Sequence, residues 1–150
     1  MSDSLVSTIG LLSGIDASGT SRHTIVATGI IYAFVAAFSM AVGSFLSEQS
    51  AEEYTAQGLT TGSKAIESAV TMFVSFVLAS FIPLVPYLFT AGTFAFTLSI
   101  VFAVASLFIV GLISARISNV PVIKRALTMA CLGGAAIAIG VLVGKFVRFV

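Results

Sequence analysis

Four long apolar runs decide what this chain can fold into. They are 24–46 (TIVATGIIYAFVAAFSMAVGSFL), 69–89 (AVTMFVSFVLASFIPLVPYLF), 94–115 and 126–149. Each can cross the ~30 Å hydrocarbon core of a bilayer as a helix. None shows the ~10-residue alternating segments of a membrane barrel. Composition agrees: 58% of the 150 residues are hydrophobic and 9% are charged, against ~25% charged in a soluble domain. A water-soluble fold of this size could not hide so much apolar surface. A soluble enzyme, a disordered chain and a nucleic-acid binder are therefore excluded, and lipid is the expected solvent. The net charge of +1 gives no field that would steer a charged partner.

A fifth, shorter span is expected over 1–15. Ser7, Gly10 and Gly14 line one face there, and Gly10 and Gly14 form a GxxxG that lets another helix approach closely. The alternative is an N-terminal tail lying on the membrane. The expected fold is all-α: one polytopic domain, 1–150, with helices at 1–15, 24–46, 69–89, 94–115 and 126–149. Segment 47–68 is read as a long acidic loop. Pro83 and Pro86 fall inside 69–89, as a structural kink or as a hinge. Asp3 near the start and the lack of a basic leader argue against a cleavable signal peptide.

The few charges make a map. Glu48, Glu52, Glu53 and Glu67 all lie in 47–68. With five spans and a cytoplasmic N-terminus, Lys64, Arg116, Lys124 and Arg125 are inside, and Arg22, Lys145 and Arg148 outside. That is the weak excess the positive-inside rule asks for.

Little in the inventory suggests catalysis. His23 is the only histidine, Cys131 is the only cysteine, and no hydroxyl has a partner base. Neither an enzyme nor a resident cofactor is expected. Asp3 is different, because an acid in a membrane helix is costly and is a functional candidate by default. If 1–15 and 24–46 form a hairpin turning near Thr20, residues equidistant from the turn share a depth. Asp3 then falls level with Phe38 to Met40. A carboxylate with a thioether suits Fe²⁺ better than Mg²⁺ or Ca²⁺. Met40, Gly43, Ser44 and Ser47 follow at helical spacing as a small or polar stripe. Beyond it, Glu48, Glu52 and Glu53 are either cation collectors at a mouth or a solvated helix end.

Several stretches resemble the vacuolar iron transporter family. They are Asp3-Ser4-Leu5-Val6, the Gly-rich Gly10 to Gly19, Ser21-Arg22, and Ser39-Met40-Ala41-Val42-Gly43, with FIPLVPY (81–87) and RALTMACLGGAAIAIG (125–140) later. The resemblance covers nearly the whole chain. It implies five helices per subunit, a homodimer in the bilayer, and a metal path between the first two helices of both subunits. It implies export of Fe²⁺ or Mn²⁺ from the cytosol, often with proton exchange. On it, Asp3 and Met40 are path ligands, Ser7, Gly43, Ser44 and Ser47 line the path, and Glu48, Glu52 and Glu53 gather metal. Proton coupling would rest on Asp3.

Three departures stand out. Ser4 replaces the family's glycine after the acid, and Ser44 replaces a glutamate after the Ser-Met-Ala-x-Gly motif. The family's long cytosolic insert is reduced to a short loop, as in the nodulin-21-like branch. A membrane scaffold that has lost transport and a passive cation channel are the alternative functions.

Overall fold

The computed structural model describes residues 2–56, 63–90, 92–117 and 122–149. They form five helices: α1 (Ser2–Ala17), α2 (Arg22–Ala56), α3 (Ser63–Phe89), α4 (Thr93–Ile117) and α5 (Val122–Phe149). Segments within α2 to α5 are each long and apolar enough to cross a membrane. Their outer faces carry exposed large side chains such as Ile31, Phe38, Leu78, Ile113 and Leu142. Such a surface needs lipid around it. The chain is a multi-pass integral membrane protein. α1, at 16 residues, is about 24 Å long and falls short of the other four.

Local chemistry sets the helix ends. Asp3 lies in the first turn of α1, where the helix dipole favours an acid. Gly19, at φ 82°, ends α1 in the left-handed conformation that glycine adopts most cheaply. The amides of Ser18 and Gly19 close the last turn on Gly14 O and Asp16 O. Ser21 Oγ then caps α2 by accepting from the Thr24 amide at 3.4 Å.

α2 and α3 are longer than the apolar runs that mark them. Most of the expected loop 47–68 is helix, because α2 continues to Ala56 and α3 begins at Ser63. α3 passes unbroken through Pro83 and Pro86. There Ser99 Oγ on α4 donates to Pro83 O at 2.5 Å.

The pairings give the topology. Thr8 Oγ1 donates to Ser80 Oγ at 3.1 Å, and Gly10 and Gly14 meet Ala136 and Gly140. So α1 runs parallel to α3 and α5, while α2 and α4 run the other way. α1 packs chiefly on α5, and its contact with α2 is the slightest it makes. Glycine explains that choice. A Cβ at Gly140 or Gly144 would run into the backbone of Gly10 or Gly14, so these helices touch main chain to main chain. Two apolar clusters fill the interior. Leu12, Ile25, Leu84, Tyr87 and Ala95 form one, and Leu5, Ala79 and Leu107 the other.

Candidate functional site

Polar side chains collect at the two ends of the bundle. One end holds Asp3, the C-terminal part of α2 and the start of α3. Asp3 is exposed, and Ser7 Oγ donates to its carbonyl oxygen at 2.7 Å. Met40 is 39% exposed. Gly43 has open space where a Cβ would stand, and Ser47 is exposed. The α1–α2 hairpin expected from the sequence exists in direction, but the two helices pack only slightly, around Leu12 and Ile25. Asp3 and Met40 lie on open faces of the chain, and Asp3 is not the buried acid that a proton role would suggest.

The predicted stripe on α2 divides. Met40, Gly43 and Ser47 remain open, whereas Ser44 turns to α3 and shares a hydrogen bond with Ser68 at 2.7 Å. Beside that bond lies a cleft of ≈ 460 Å³. Ser44 and Glu48 line it from α2, and Lys64, Glu67, Ser68, Thr71, Met72 and Ser75 from α3. Two carboxylates, four hydroxyl side chains and a thioether thus face one space, with one ammonium. Sequence reading found Glu48 and missed Glu67, Ser68 and Met72. Their signal was present, because residues 64, 67, 68, 71, 72 and 75 repeat at helical spacing. Glu53 is exposed, and the side chain of Glu52 lies outside the described residues. Among the described residues no group of three His, Cys, Asp or Glu is placed to hold a metal ion. The cleft can attract a cation through Glu48 and Glu67 and complete its shell with hydroxyl oxygens and water.

A family comparison bears directly on this arrangement. The model of the VIT family matches residues 1–62 and 55–145. The chain belongs to the vacuolar iron transporter (VIT) family. The two matched segments meet where α2 gives way to α3, beside the cleft. Membership in a family of metal-ion transporters accords with a multi-pass bundle whose polar groups sit on open helix faces. No curated protein matches the chain.

The opposite end carries a second polar group, which sequence reading did not assemble. Asp16, past the apolar part of α1, accepts a hydrogen bond from Tyr87 Oη at 3.4 Å. Tyr87 is 2% exposed and is the largest fully buried side chain among the described residues. Arg22, at the start of α2, donates through Nε to Tyr87 O at 2.7 Å and through Nη2 to Leu88 O. Burial raises the Asp16 carboxyl above its ordinary pKa, and the Tyr87 hydroxyl partly opposes the shift. The sequence did hold a clue to Asp16. An acid in the last turn of a helix opposes the dipole, and no basic residue stands within four positions of it.

Proposed function

We propose that this VIT-family protein is a homodimeric exporter of Fe²⁺ or Mn²⁺, working by proton exchange. The observation that carries the reading is the open polar stripe on α2. Met40, Gly43 and Ser47 have no intramolecular cover, although bare polar and glycine surface in a membrane helix asks for a partner. A second protomer placed there would bring the α1 and α2 faces of both subunits together. Asp3 and Met40 would then line a metal path, with Ser7 and Ser47 as neutral oxygens beside it, while Ser44 faces the cleft.

The cleft is the cytosolic collecting site in this reading. Glu48 and Glu67 face it, and the exposed Glu53 extends the acidic approach. Lys64, Arg116, Lys124 and Arg125 share that end, which supports a cytoplasmic N-terminus and α1 as a fifth span. Pro83 and Pro86 would be the hinge of α3. The six residues 57–62 between α2 and α3 leave no room for a large cytosolic insert, in keeping with the short nodulin-21-like branch.

The test is Fe²⁺ uptake by proteoliposomes, comparing wild type with Asp3→Ala. Loss of uptake in the variant is expected. Equal rates would remove Asp3 from the path. A second reading, a membrane scaffold without transport, draws on Ser44 and on there being no three-ligand set among the described residues. Absence of flux in the wild type would favour it. In that reading the GxxxG of Gly140 and Gly144 in α5 would be the helix-docking face, but α1 already occupies it.

A further inference from the structure

The Asp16 network ties three helices together at the end of the bundle away from the cleft. The Asp16 side chain reaches across to Tyr87 on α3. Arg22 holds the last carbonyls of α3 from α2. Tyr87 itself belongs to the apolar cluster with Leu12, Ile25, Leu84 and Ala95. Its hydroxyl is therefore presented to Asp16 by a packed ring with no freedom to swing away. The guanidinium of Arg22 is spent on carbonyls, so it does not form the ion pair that would keep Asp16 charged.

We propose that Asp16 is the proton-binding residue of a latch that holds the C-terminal end of α1 against α3, tight when Asp16 is protonated and loosened when it is ionised. A half-buried carboxylate without a cation has only the Tyr87 hydroxyl in place of its lost water. The protonated carboxyl carries no charge to solvate and still accepts from Tyr87. The sign follows from linkage. A carboxyl whose folded pKa is raised contributes its docking stability in full below its unfolded pKa. That contribution is lost as pH rises through the folded value.

The other groups near Asp16 are few. α2 brings Arg22 and His23, and α3 brings Tyr87. The only charged residue of α4, Arg116, is at the far end of the bundle. α5 brings Lys145 and Arg148, and a Cβ on Gly19 would lie 3.6 Å from Arg148 Nε.

The latch rests on the transport reading for its use, since a proton-sensitive hold on α1 would couple metal movement to protons. Its existence is tested separately. The chain has no tryptophan and three tyrosines, so tyrosine emission can be read directly. A titration over about pH 4 to 9, which brackets a raised carboxyl, should show a single step in tyrosine emission as Asp16 ionises and its contact with Tyr87 changes. The step should vanish in Asp16→Asn and in Tyr87→Phe, and persist in Asp3→Asn and His23→Gln. A step that survives Asp16→Asn, follows His23, or is absent from the wild type overturns the proposal. In proteoliposomes the pH profile of Fe²⁺ flux should flatten in Asp16→Asn. If the wild type shows no flux, the transport reading fails while the titration still decides the latch.

Discussion

Replacing Gly144 by alanine adds one methyl group where two backbones already touch. A Cβ there would lie 2.7 Å from the Gly14 carbonyl carbon and 3.0 Å from its Cα, with the Gly14 carbonyl oxygen closer still. Comfortable carbon contacts are about 3.5–4.0 Å, so α1 and α5 must separate by roughly 1 Å. The obstacle is main chain, which cannot rotate aside as a side chain can. Overpacking of this kind costs about 1–3 kcal/mol. Alanine's helix-propensity advantage, about 1 kcal/mol in water, should largely cancel, because separated helices in a bilayer remain helical. Gly134, on the same helix, has nothing within 4 Å of its Cβ position and serves as the control. An equilibrium SDS titration in mixed micelles, followed by emission from the buried Tyr87, should lower the midpoint for Gly144→Ala and leave Gly134→Ala near wild type. If Gly144→Ala falls within about 0.5 kcal/mol of wild type, the usual scatter for an innocuous surface change, the backbone contact between α1 and α5 is wrong.

Two further substitutions probe the ends of the bundle. Arg22→Ala removes two donors from the C-terminal carbonyls of α3. The same titration should show a loss of about 1 kcal/mol, the low end for charged donors because Arg22 is exposed. Arg22→Lys keeps the charge and should recover part of that loss, and an unchanged midpoint in both variants would dismiss the cap. Ser44→Glu places a third carboxylate in the cleft with Glu48 and Glu67. Equilibrium Mn²⁺ binding should tighten by tenfold or more, about 1.4 kcal/mol, and unchanged affinity would show that the cleft does not hold the cation.

The four long helices were legible because lipid makes hydropathy nearly sufficient. A span must be apolar, and its backbone must bond within itself. The extensions of α2 to Ala56 and α3 back to Ser63 were not legible. SEQSAEEYTA carries no apolar run, and helix propensity alone is a weak prior outside the membrane. Helix partners were half legible. Both GxxxG motifs were visible, but nothing in their spacing says that Gly10 and Gly14 meet Gly140 and Gly144 instead of a glycine or alanine on α2. Asp3 and Met40 were singled out by depth, yet depth does not choose which face points where. Asp16 escaped because it stands one residue beyond the expected span, and its meaning comes from Tyr87, 71 positions away.

A cleft that binds metal weakly would be consistent with transport, and the charge arithmetic explains why. A conducting pathway needs sites that attract an ion and also let it leave. Glu48 and Glu67 match the charge of a divalent ion, while Lys64 on the same wall lowers the net attraction. Ser44, Ser68, Thr71 and Ser75 offer neutral oxygens that a hydrated ion can trade for water without large loss. On this reasoning Ser44→Glu strengthens capture and slows release, so Mn²⁺ affinity rises while Fe²⁺ flux through proteoliposomes falls. The serine at position 44 would then set the strength of the collecting site, and the scaffold reading would gain nothing from it. Parallel increases in affinity and flux would refute the argument, because they would mean that capture limits transport and that the cleft is too weak for its task.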